Sequence, residues 1–207
     1  MPEKIEYKKH EKQLYLPKGE PAVIDVPAMS FAAIDGEGDP NRPAFAQETE
    51  ALYAVSYAVK MSYKGSDAPE GYYDYTVYPL EGIWSLVDIA KPSTDKDNFK
   101  YTLMIRQPRF LTPEGFRHFA DKAAAKKANP LIGNVAFVAM KEGLSCQMMH
   151  TGSYDDEPAS FARMEAYCEA AGYARTSLTH REIYLSDPRR TAPEKLKTVL
   201  RFSVAKL

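Results

Sequence analysis

The stretch His180-Arg181-Glu182-Ile183-Tyr184-Leu185 has the two-residue period of a strand, whose successive side chains leave on opposite faces. Ile183 and Leu185 then point toward packed helices, while His180, Glu182 and Tyr184 share the other face. If that face lines a cleft, Glu182 is a partly desolvated carboxylate among aromatic rings. If it lies in water the same residues are ordinary, and the pattern serves both readings equally.

Working outward, Leu144 to Thr151 reads as a preceding strand and Gly152-Ser153-Tyr154-Asp155-Asp156-Glu157-Pro158 as a break. Phe161, Met164, Cys168 and Ala171 then recur at helical spacing before Gly172, and Thr198 to Val204 supplies a last strand after the loop Ser186 to Pro193. The same order is readable earlier. Ala22 to Ile34 reads as extended and the turn Asp35 to Asn41 ends it. Phe45, Thr49, Leu52, Ser56, Val59 and Tyr63 are spaced as a helix ending near Gly65; Tyr72 to Trp84 and Lys100 to Gln107 read as a hairpin with a long connection. The prediction is an α+β fold: tandem β-α-β-β repeats over about 21–107 and 135–204, with an antiparallel sheet and matching element order but low residue identity. Thr112-Pro113-Glu114 caps a connecting helix over about 112–128. Without a Gly/Ser linker, residues 1–207 are expected to form one domain. Glu3 to Lys18, with Leu14-Tyr15-Leu16, is expected to add an edge strand.

Twenty-seven basic against twenty-eight acidic residues leave a net charge of -1, which argues against nucleic acid as a partner. The longest apolar run, Val135 to Met140, is far short of the ~20 residues of a membrane span, and Met1-Pro2-Glu3-Lys4 opens no signal core. A cytoplasmic protein with no membrane contact is expected. Cys146 and Cys168 are too few for a disulfide framework. Fourteen tyrosines in a 12% aromatic content suit a wet cleft as well as ordinary packing.

Gly36-Glu37-Gly38 reads as a turn, because its acidic neighbours would repel a phosphate. No Gly-x-Ser-x-Gly elbow occurs. His150, His180 and Glu182 lack metal-ligand spacing, so neither a metal nor a cofactor is expected. Leu80-Glu81-Gly82-Ile83-Trp84 holds the only tryptophan. Strict alternation sends Glu81 and Trp84 to opposite faces unless Gly82 hosts a bulge. Cys146, Met148 and His150 share one strand face, as adaptable ligand lining or as core.

These pieces resemble the GyrI-like (gyrase-inhibitor-like) small-molecule-binding domain family, and its stand-alone branch in particular, over roughly Lys12 to Val204. The resemblance rests on Val26-Pro27-Ala28-Met29 leading into Gly36 to Asn41, on Tyr78-Pro79-Leu80-Glu81-Gly82-Ile83-Trp84, on His150 to Glu157, and on Glu182 to Arg190. It implies two strand-helix-strand-strand units about a pseudo-twofold axis, with helices outside and a ligand groove between them. It also implies that Glu182 meets cationic or polar parts of a ligand and that Tyr154 and Trp84 line the groove. Tyr184, Glu81, His150, Met148 and Tyr78 complete the candidate ligand-binding residues. The family includes drug-binding halves of transcription regulators, but no helix-turn-helix is legible here. Some stand-alone relatives hydrolyse the activated cyclopropane of DNA-alkylating natural products.

The first expectation is therefore broad-specificity binding of flat hydrophobic or cationic small molecules, with Glu182 as the buried charge and Trp84, Tyr154 and Tyr184 as walls. The alternative is a cyclopropane-opening hydrolase in which Glu182 orients water. A gyrase contact is suggested by the name-giving relatives alone.

Overall fold

The computed structural model describes residues 4–92 and 94–207, so the parts of the expected lead-in at 1–3 and of the loop at Ser93 lie outside the described residues. Two single-turn helices, α1 (Tyr7–His10) and α2 (Lys12–Tyr15), precede β1 (Ala22–Glu37), α3 (Pro43–Lys60), β2 (Leu80–Leu86) and β3 (Phe99–Arg106). Then follow α4 (Pro113–Lys126), β4 (Ala136–Thr151), α5 (Glu157–Ala170), β5 (Tyr173–Arg175), β6 (His180–Tyr184) and β7 (Lys197–Lys206). The fold is α+β with antiparallel strand pairing, and strand-helix-strand-strand occurs twice along the chain, the second time with the short β5 added.

Three local expectations are corrected. Leu14 to Leu16 is not an edge strand: Tyr15 closes the turn α2, and its buried ring meets Tyr7 edge-on at 5.1 Å. Tyr72 to Pro79 does not extend β2 backward, because the rings of Tyr72, Tyr73 and Tyr75 gather around Phe110 at 5.1, 5.1 and 6.0 Å. Finally, β1 runs on through Gly36, which lies opposite Tyr101 of β3. A Cβ at Gly36 would stand 2.3 Å from the Tyr101 ring, so this glycine serves a close approach, and Gly38, at φ 95°, makes the turn.

Two compact units divide the chain and interleave along it. One comprises the described residues up to Glu6, Met29–Leu80 and Leu86–Met140. Its β1–β3 ladder runs from Phe31 opposite Arg106 to Glu37 opposite Lys100. Leu52, Val55 and Val59 of α3, Phe116 and Phe119 of α4, and Leu103 and Ile105 of β3 are among its buried apolar residues.

The other unit comprises Tyr7–Ala28, Glu81–Ser85 and Lys141–Leu207. Here β7 pairs with β4, β5 and β6, and β6 also pairs with β2. Its apolar core joins Cys146 and Met148 of β4, Met164 and Cys168 of α5, and Leu200, Phe202 and Val204 of β7. Burial of well over a dozen methylene equivalents here outweighs the loose helical patterning of α5, at roughly 0.8 kcal/mol each.

Candidate functional site

The site is built where β2 and β6 lie side by side. Their register is unbroken, with Glu81 opposite Ile183, Gly82 opposite Glu182, Ile83 opposite Arg181 and Trp84 opposite His180. No bulge forms at Gly82, so alternation holds. Trp84, His180, Glu182 and Tyr184 share one face; Glu81, Arg181 and Ile183 share the other.

On the first face the side chains form a chain of hydrogen bonds. The Trp84 indole Nε1 donates to the Tyr184 hydroxyl at 2.8 Å, and that hydroxyl donates to Glu182 Oε2 at 2.8 Å. His180 Nε2 donates to Glu182 Oε1 at 3.0 Å. Gly82 makes the floor: a Cβ there would stand 2.6 Å from Trp84 Nε1 and 3.2 Å from the Tyr184 hydroxyl. Glu182 is 8% exposed and Trp84 7%. The more open ring is Tyr154, 38% exposed, which meets Tyr184 edge-on at 6.0 Å.

A second carboxyl completes the cluster. Glu157, the first residue of α5 and 6% exposed, lies against the Glu182 carboxyl, and its buried Oε1 meets no other hydrogen-bonding group among the described residues. Burial first, and then the Glu182 charge, push the Glu157 carboxyl up to about 10, so it holds a proton at neutral pH. The helix N-terminus would favour an ionised group here. Desolvation and a like charge override it. The same surroundings push the Tyr154 hydroxyl up to about 12 and the Tyr184 hydroxyl well above its ordinary value, burial leading in both. The cluster thus sets a protonated carboxyl against a second carboxyl, with two phenols held neutral. Neither Glu157 nor Glu182 has an Arg or Lys partner among the described residues.

Four sequence-derived candidates lie outside this cluster. Glu81, only 1% exposed, is engaged by Arg181 Nη1 at 3.1 Å and by the Tyr15 hydroxyl at 3.5 Å. It joins a buried ionic network with Glu142 and Arg201, and its strand position turns it away from Glu182. Met148 is core. His150 is also buried, with Nδ1 2.9 Å from Ser160 Oγ and Nε2 3.0 Å from the Ser153 carbonyl, and so braces the segment that carries Tyr154 and Glu157. Tyr78 belongs to the other unit, where the Arg106 guanidinium lies 4.6 Å from its ring centre. Two open clefts, of about 470 Å³ beside Asp67 and Phe110 and about 390 Å³ beside His150 and Arg163, include neither glutamate in their walls. The first has ordinary solvent-facing ion pairing in Asp67, His118 and Lys122.

Glu157 is the residue that strand patterning missed. It sat in a stretch read as a turn, and the available signal was Pro158 behind it, a residue favoured in a helix's first turn. Among the described residues no group of three His, Cys, Asp or Glu side chains could hold a metal ion, and no helix is long and apolar enough to cross a membrane.

An α+β antiparallel framework with a buried carboxyl pair under aromatic residues defines a small-molecule-binding class of protein. The chain belongs to the GyrI-like small-molecule-binding domain family, whose model matches residues 19–205. Among solved structures it is similar to one described as a hydrolase from Listeria innocua, with 38% identity, TM-score 0.90, and coverage of 98% of this chain and 100% of that one. It is also similar to an uncharacterized conserved protein from Listeria innocua, with 39% identity, TM-score 0.92 and the same coverage. The EcmrR C-terminal domain, at 14% identity and TM-score 0.55 over 91% of this chain and 98% of that one, shares the fold alone. No curated protein matches.

Proposed function

We propose that the cluster around Glu157 and Glu182 binds a flat, conjugated small molecule and adds water to it, as a hydrolase that opens a strained, activated ring such as a cyclopropane conjugated to a carbonyl. The observation that carries this reading is the carboxyl pair, because one member holds a proton while the other takes hydrogen bonds on both its oxygens as an acceptor. A general acid beside a general base, in a site shielded from water, is what addition of water across a C–C bond requires. The likeness to a Listeria innocua structure described as a hydrolase, over the full length of both chains, supports it.

In this reading Glu182 accepts a proton from water as the water oxygen bonds to the ring methylene. The ring C–C bond breaks and its electron pair passes into the conjugated carbonyl. That oxygen takes the proton of Glu157. A proton then crosses from Glu182 to Glu157 where the two carboxyls meet, and the pair is restored with one water added. Tyr154, the open ring, would stack on the substrate, while Trp84 and Tyr184 fix Glu182.

The test is incubation with a cyclopropane-bearing conjugated enone in water enriched in ¹⁸O, followed by mass spectrometry. Catalytic formation of a product carrying one labelled water, lost in Glu182→Gln and Glu157→Gln, is expected. A compound left intact by many equivalents of folded protein refutes hydrolysis. The second reading, binding of a planar cation without turnover, is favoured by one feature: the pair carries a single negative charge that no Arg or Lys neutralises among the described residues.

A further inference from the structure

The buried carboxyl pair can exist with one shared proton or with none. Glu182 accepts from Tyr184 and His180 and contacts the protonated Glu157, whose Oε1 is buried without a partner. A buried carboxyl oxygen that meets no other donor of the protein leaves the charge of the pair to be balanced by its own proton or by a ligand. The titratable and charged groups around the pair are His180 and Tyr184 on β6, Tyr154 ahead of α5, and Asp187 after β6. Both phenols stay neutral, and Asp187 is held ionised by Arg189, well below the ordinary carboxylate range. No Lys or Arg side chain pairs with Glu157 or Glu182 among the described residues. The proton on the carboxyl pair is therefore the adjustable charge of the site. His180 offers its way out, with Nε2 on Glu182 and a side chain 23% exposed.

We propose that the pair matches the charge of its ligand: a neutral or singly charged planar molecule binds with the shared proton in place, and a planar dication binds with loss of that proton to solvent, meeting two carboxylates. This rests on the small-molecule reading of the site given above, and it adds that ligands of double positive charge belong to its range. The ligand's second charge replaces the proton, and the released proton passes from the pair through His180 to buffer. Charge balance inside a dry site favours this exchange, because an uncompensated charge there is far more costly than in water.

Three tricyclic probes of similar size separate the outcomes: phenanthridine, neutral at pH 8, N-methylphenanthridinium, a monocation, and diquat, a dication. Titration calorimetry at pH 8 in two buffers of different ionisation enthalpy counts the protons released. The expected result is about one proton for diquat and about none for the other two, with diquat affinity rising about tenfold per pH unit between pH 6 and 8. Glu157→Gln, which cannot ionise, is expected to abolish the release with diquat. Diquat binding with no proton released, or equal release with all three probes, overturns the proposal and leaves the small-molecule reading standing. If none of the three binds, the small-molecule reading fails and the proposal fails with it.

Discussion

Glu157→Gln should stabilise the protein, and by an amount that grows with pH. Glu157 titrates near 4.5 when exposed and is pushed up to about 10 in the folded chain, so between these values the folded state binds the extra proton. A group whose folded value is raised contributes fully below the unfolded value and loses that contribution as pH rises toward the folded one. At pH 7 the proton must be held about two and a half units above its unfolded value. At about 1.4 kcal/mol per unit this costs about 3 kcal/mol. Glutamine keeps the size and a donor toward Glu182 without that cost. For a chain of this length, thermal unfolding should show the variant and parent nearly equal at pH 4.5 and the variant about 6–12 °C higher at pH 7. A difference that stays flat from pH 5 to pH 8 would refute the assignment of a buried, protonated Glu157. Hydrolysis measured on the same preparation should fall, which separates stability from chemistry.

Gly82→Ala should displace the Trp84 indole or the Tyr184 hydroxyl, costing about 1–3 kcal/mol, and shift the emission of the only tryptophan; unchanged emission and melting would show that the floor tolerates a methyl group. Arg181→Met should destabilise by about 3–5 kcal/mol by leaving Glu81 buried without its guanidinium, whereas Glu81→Met with Arg181→Met should recover most of it; equal melting of single and double variants would contradict the ion pair's role. Tyr184→Phe should leave Glu182 short of one donor and slow turnover while the fold is retained, read as kcat against KM with melting as control.

Much of this architecture was legible in short-range patterns. The apolar spacing of Phe45 to Val59 gave α3, and Thr112 with Pro113 marked α4, whose cap accepts from the Gly115 amide at 3.1 Å. The alternation of His180 to Tyr184 placed Glu182 and Tyr184 together, because a strand leaves no other choice of face. What escaped depends on partners remote in sequence. Arg181 lies 100 residues from Glu81, and nothing near either one shows that they neutralise each other. Glu157 met Glu182 only through the packing of α5, and the aromatic run Tyr72 to Tyr78 looked extended until Phe110 supplied a ring to gather around.

The five residues Glu81–Ser85 belong to a unit whose remaining segments lie far from them in the chain, and the Trp84–Tyr184 bond spans 100 residues. At about 5–20 residues per second, a ribosome releases Trp84 some 5–20 seconds before Tyr184 exists. Throughout that interval the indole has no permanent lodging, which makes it a natural reporter of the last stage of maturation. Neither unit could be cut out as one uninterrupted peptide, so a fragment-based library would never hold Trp84 and Tyr184 in one piece with the strands that join them.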